Sequence, residues 1–245
     1  MTTQEFMESV FRQTEENTKL EAYKKGLPIG TDENGNILLA QKQEKTLTVR
    51  NTCVTGVGRT DFIRRFIITI SCLYEKDQAC FFVLSPRVEY GELLRLNSAD
   101  ITVPYIRSKE DLNKAVETLK ELIRIRDSGA GYPKLFLVLD GLDELPDSGK
   151  TGEMEEYRSI NELLMRKKDI EIITGVDLTK SIFAGFPGAF LGIGNCLVTT
   201  HEEGKADVTY VGEDSSLTLP APITYPSEPS VLDSIVFLNK VPANE

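Results

Sequence analysis

Near the start of the chain, apolar residues recur at helical spacing, at Phe6, Met7, Val10 and Phe11, within an otherwise polar stretch. That pattern predicts an amphipathic helix that docks on the rest of the molecule or on a partner, ended by Gly26, Pro28 and Gly30. A turn signal in GTDENGNI precedes a short strand over residues 37–40. Residues 46–53 read as a strand, followed by a glycine-containing loop and an apolar helix over residues 60–73. A second strand is expected over residues 80–84. Ser108 and Asp111 resemble a capping box with Asp in the Glu position. Leu112, Val116, Leu119 and Ile123 line one face of the helix that this box opens. After a break at residues 129–133, Leu135 to Leu139 form an uninterrupted apolar run, as expected for a central parallel strand covered on both faces. A helix is expected over residues 155–167, a buried strand over 170–173, and further strands over 195–200 and 208–211. Five of the eleven prolines follow Leu219, so irregular, extended chain is expected there.

Strands alternating with helices imply crossover connections and a mostly parallel central sheet flanked by helices, an α/β class. The simplest division is an N-terminal helical extension over residues 1–26, one domain over 27–219 and a proline-rich extension over 220–245.

Composition sharpens this picture. A chain of 245 residues suits one large α/β domain. No apolar run approaches the ~18 residues needed to cross a bilayer, and the first residues lack the basic and apolar regions of a signal peptide. A cytoplasmic location is expected, without direct membrane insertion, any membrane association coming through a larger complex. The formal charge of −10 disfavours a broad nucleic-acid surface. Arg59, Arg64 and Arg65 cluster, and read as a solvated helix face. The cysteines (Cys53, Cys72, Cys80 and Cys196) form no CxxC pair and His201 is the one histidine, so no zinc site is expected.

Two motifs carry candidate chemistry. The first is CVTGVGRT, residues 53–60. A P-loop reads GxxxxGK[ST] between a strand and a helix, its backbone amides closing around phosphates while the Ser or Thr hydroxyl holds Mg²⁺. Here Gly58 and Thr60 are in register, but Arg59 replaces the Lys and Cys53 the first Gly. Arg is a planar fork rather than a compact ammonium, and Cys53 adds a Cβ where a tight turn is expected. The candidate nucleotide-binding residues are Thr55, Gly56, Val57, Gly58, Arg59 and Thr60. The second motif is KLFLVLDGLDEL, residues 134–145. It places Asp140 at the C-terminal end of a buried strand, where α/β sheets bind ligands. Asp140 and Thr60 are the candidate Mg²⁺ ligands, and Asp140 and Glu144 the candidate catalytic acids; Asp143 and Glu144 read equally well as solvated loop acids. Ser85-Pro86-Arg87 ends another strand and reads as a plain exit into a loop.

With both motifs in order, the chain resembles the motor domain of the FtsK/SpoIIIE family from about Leu27 to Gly212. Leu27-Pro28-Ile29-Gly30 resembles that family's lead-in stretch, Ser85-Pro86-Arg87 its Asp-Pro-Lys strand end, and Val103-Pro104-Tyr105 its entry into a long helix. Ile170 to Thr174 resembles its sensor strand, and Cys196 to Gly212 its late strand with the segment that follows. The resemblance implies a RecA-like P-loop NTPase fold, ATP and Mg²⁺ as ligands, and ring homo-oligomers that pump DNA or drive protein secretion. The chain departs from the pattern where the family's catalytic Glu follows the strand-end Asp: that position is Gly141. The sensor strand continues as Gly175-Val176 in place of a polar Gln. The departures imply weak or absent ATP hydrolysis, and a regulatory or interaction domain similar to the eroded later domains of type VII secretion ATPases, with protein partners or other ATPase domains. The alternatives are a DNA-translocating motor, a NACHT-like nucleotide switch, which LDGLDEL also resembles, and a scaffold that has lost nucleotide.

Overall fold

The computed structural model describes residues 1–12, 21, 23–24, 26–40, 50–75, 77–96, 100–127, 132–145, 170–177, 196–211 and 216–226, with Arg12, Arg50, Asp127, Asp143 and Glu203 described by backbone alone. The helix expected over residues 155–167, the break at 129–131, the first half of the strand expected over 46–53 and the end of the chain lie outside these residues.

A mostly parallel sheet forms the middle layer. Its strands are β1 (Pro28–Thr31), β2 (Ile37–Leu39), β3 (Arg50–Gly56), β4 (Ala79–Leu84), β5 (Asp100–Thr102), β6 (Lys134–Asp140), β7 (Ile170–Gly175), β8 (Cys196–Thr200), β9 (Lys205–Val211), β10 (Ser216–Thr218) and β11 (Ile223–Thr224). They lie in the order β2-β1-β11-β9-β8-β3-β7-β6-β4-β5, with β10 on β9. The run from β8 to β5 is parallel, and the other half, from β9 to β2, is antiparallel. Taking β3, β4, β6, β7 and β8 as first to fifth, the order is fifth-first-fourth-third-second, the RecA-like arrangement.

Period-2 alternation in continuously apolar strands sends side chains to both faces. Phe81, Val83, Phe136 and Val138 face one layer, with Phe62, Ile63, Phe66, Ile67 and Ile70 of helix α2 (Arg59–Leu73). Phe82, Leu84, Leu135, Leu137 and Leu139 face the other, with Leu112, Val116, Leu119 and Ile123 of helix α3 (Lys109–Asp127). Each such side chain contributes ~1.5–3 kcal/mol on full burial. The capping box forms as expected: the Asp111 amide donates to Ser108 Oγ at 3.1 Å, while Asp111 Oδ2 accepts from the Ser108 amide. Helix α1 (Thr3–Arg12) buries Phe6, Met7 and Val10 against this body, next to Tyr23 and Leu73.

Three expectations change. First, β3 does not end at Cys53. It runs to Gly56, paired with β7 as far as Val54 opposite Gly175 and with β8 to its end, Gly56 opposite Thr200. Cys53 therefore lies inside a strand, buried, where no tight turn occurs, and burial pushes its thiol up to about 12. The ladders on β7 and β8 decide this; the glycine spacing does not reveal it. Second, the chain after Leu219 is not all irregular. β11 fills the gap between β9 and β1, and Ile223 and Tyr225 join the core. Third, Arg59, Arg64 and Arg65 are all buried. Arg64 pairs with Asp61 and Glu92. Arg65 stacks on Tyr225, 4.1 Å from the ring centre, with Nε donating to the Asp61 carbonyl; loss of water draws its pKa down to about 10.

Gly56 has φ +97°, and a Cβ there would lie 2.2 Å from the Thr200 carbonyl oxygen. Gly56→Ala is expected to lower stability by more than the ~1–2 kcal/mol of backbone strain alone, measured as a fall in the urea midpoint.

Candidate functional site

Four parallel strands end at one edge of the sheet, and each delivers part of a charged cluster. β3 leads through the two-residue turn Val57-Gly58 into α2, whose first residues are Arg59 and Thr60. Gly58 is left-handed, at φ 73°, a conformation glycine adopts without a Cβ penalty. β4 leads through Ser85-Pro86 to Arg87 and then into the 3-10 segment Val88–Arg95, which carries Tyr90. β6 ends in Asp140, followed by left-handed Gly141 and the 3-10 turn Leu142–Glu144. β7 ends in Gly175.

Asp140 is the centre, fully buried. Its Oδ2 accepts hydrogen bonds from Thr60 Oγ1 at 2.8 Å and Tyr90 OH at 3.0 Å. Its Oδ1 accepts from Arg59 Nε at 3.2 Å. Arg87 Nε lies 3.5 Å from Oδ2. Gly175 makes room for this carboxylate, because a Cβ on it would fall 2.1 Å from Asp140 Oδ1. Tyr90 is buried and its phenol is pushed well above its ordinary pKa, by loss of water and then by the Asp140 charge, so it stays a donor. Glu144 closes the cluster from outside. Its Oε1 accepts from Arg59 Nη2 at 2.8 Å and from Arg87 Nη2 at 2.5 Å.

The structure thus unites Arg59, Thr60, Asp140 and Glu144 and treats the other candidates differently. Thr55 is a strand residue whose carbonyl accepts from Thr200 Oγ1 at 2.7 Å. Gly56 closes the strand, Val57 is exposed to solvent, and Gly58 opens the helix. Glu144 is no free loop acid: two guanidiniums hold it. Ser85-Pro86-Arg87 is no plain exit either, since Arg87 reaches both carboxylates. No sequence motif marks Tyr90; its place a few residues after the end of β4 is the available signal.

Magnesium does not fit between Thr60 and Asp140 in this arrangement. The hydroxyl donates directly to Oδ2 of the carboxylate, and the Arg59 guanidinium, itself a cation, donates to Oδ1. Of the expected phosphate cradle, residues 53–56 are strand, which leaves the Val57-Gly58 turn and the start of α2. A general base at position 141 is also disfavoured. Gly141 has φ +68°, and a Cβ there would lie 2.9 Å from Arg87 Nε.

Comparisons with known proteins give the fold its company. No protein-family model and no curated protein sequence matches the chain. Among solved structures it is similar to an ATPase with a TM-score of 0.59, at 12% identity, over 86% of this chain and 94% of that one. It is similar to ATPases 2 and 3 of EccC from Thermomonospora curvata in complex with a signal sequence peptide, with a TM-score of 0.56, at 16% identity, over 84% of this chain and 41% of that one. It is also similar to the pCW3 conjugation coupling protein TcpA with ATPγS, with a TM-score of 0.53, at 10% identity, over 91% of this chain and 72% of that one. The chain spans less than half of the EccC structure it matches. Its structural neighbours are FtsK/SpoIIIE-type ATPases, type VII secretion ATPase domains among them, and at these identities the likeness is one of fold.

Removing a partner from a buried ion pair leaves an uncompensated charge, costing ~3–5 kcal/mol. Arg59→Ala is expected to destabilise the protein by that order. Tyr90→Phe deletes one hydrogen bond to a charged group and should cost about 1.5–3 kcal/mol. Urea denaturation of both variants checks the ranking.

Proposed function

We propose that this chain, built on the fold of FtsK/SpoIIIE-type P-loop ATPases, is a domain that hydrolyses ATP weakly or not at all and acts as a regulatory or interaction module of a type VII-like secretion ATPase. One observation carries the reading. The residue in the position of the phosphate-binding lysine, Arg59, is bound to Asp140 and Glu144 inside the chain. Gly141, in place of the family's general base, points the same way. Without a positioned base to activate water, rates fall by ~10²–10⁴.

The chain's partners are then proteins: another ATPase domain, a second copy in a ring, or a peptide of the kind bound by the EccC structure. The charge of −10 favours this over DNA. No described helix is long and apolar enough to cross a membrane, so membrane association would come through the larger complex. The TcpA neighbour, a conjugation coupling protein, keeps DNA translocation as the second reading.

ATP turnover with Mg²⁺ tests the proposal. Against a typical enzyme rate of ~10 s⁻¹, the chain is expected to stay below about 0.1 s⁻¹. Arg59→Lys alone should not restore turnover, since Gly141 remains. Turnover of several per second by the unmodified chain would sink the reading, and salt-sensitive binding to duplex DNA would favour the motor.

A further inference from the structure

Glu144 and Asp140 are both acids at the same sheet edge, but their circumstances differ. Asp140 is sealed at the strand end by two hydroxyl donors and a guanidinium. Glu144 sits on a three-residue turn behind a left-handed glycine, with its side chain 33% exposed. A single oxygen, Oε1, lies between the Nη2 atoms of Arg59 and Arg87. Two guanidiniums converging on one oxyanion form a clamp of the type that recognises carboxylates and phosphates. The Arg87 Nε faces Asp140 Oδ2 from inside the cluster at 3.5 Å, while its Nη2 holds Glu144 and the side chain as a whole is 27% exposed. The clamp stands beside the start of α2, where the first backbone amides of a helix lack intrahelical acceptors.

We propose that Arg59 and Arg87 form an anion seat for a phosphate group, and that Glu144 fills this seat from within the chain. The proposal rests on the preceding reading, in which the lysine position is engaged internally, and adds what would release it. Among the described side chains, two guanidiniums are balanced by two carboxylates. A phosphate therefore cannot join Glu144 without like-charge repulsion; it must replace it. The short turn lets Glu144 swing out while Asp140 stays fixed. The ligand is a phosphate group, whether free or at the end of a nucleotide.

The test compares the unmodified chain with Glu144→Gln, without magnesium, by calorimetric titration with inorganic phosphate, ATP and adenosine. Losing one charged competitor should make Glu144→Gln bind phosphate and ATP at least about tenfold more tightly than the parent, with no gain for adenosine. Adding Arg87→Ala to Glu144→Gln should abolish the gain. If Glu144→Gln fails to fold, Glu144→Asp, one methylene too short to reach both guanidiniums, should show a smaller gain. Equal gains for phosphate and ATP support the seat and identify free phosphate as sufficient. A larger gain for ATP supports it and identifies a nucleotide. The proposal is overturned if the Glu144 variants bind neither phosphate nor ATP more tightly than the parent, if the gain survives Arg87→Ala, or if it appears equally for adenosine. Rapid hydrolysis by the unmodified chain would sink the earlier reading without bearing on these comparisons.

Discussion

A buried carboxylate without partners is intolerable in a protein interior, and much of this molecule's site follows from that constraint acting on Asp140. The parallel sheet places the carboxylate at the end of a buried apolar strand between β7 and β4, away from water. Each neighbouring element must then supply a donor or make space. The start of α2 supplies Arg59 and Thr60, the segment after β4 supplies Tyr90 and Arg87, and β7 ends in a glycine because any side chain would overlap the acid. The cluster reads first as a structural solution. Its chemistry depends on which of these donors an incoming ligand could win.

That view explains why the phosphate-loop pattern and the geometry diverge. The helix start, the strand-end Asp and the capping box were legible from spacing alone, since each depends on neighbours within a few residues. The extent of β3 was not. Whether residues 53–56 wrap a ligand or extend a sheet depends on Gly175 and Thr200, whose distance in sequence hides the pairing. The three arginines of α2 misled for the same reason. Their charges are ordinary on a solvated face, and only the fold brings Asp140, Glu144, Glu92 and Tyr225 beside them. Arg87 and Tyr90 carried no recognisable motif; they matter because β4 lies beside β6.

The two halves of the sheet divide the labour. The parallel half gathers every charged group of the site at one edge, as crossover topology requires. The antiparallel half, from β9 to β2, contributes none of them and instead supports the open side of α2 through Ile29, Ile223 and Tyr225. A substitution there should act on stability, whereas one at the parallel edge acts on both stability and ligand.

The position of β11 has a further consequence. This two-residue strand sits between β9 and β1, and its pairing of Thr31 with Thr224 joins segments 193 positions apart. Contacts of such long range carry a large loop-closure cost and form late in folding. During synthesis, β1, β2 and the docked α1 must wait for almost the whole domain to emerge before their sheet edge is covered. In that interval β1, paired only with β2, presents an open edge with apolar neighbours, the feature that recruits chaperones or invites mispairing.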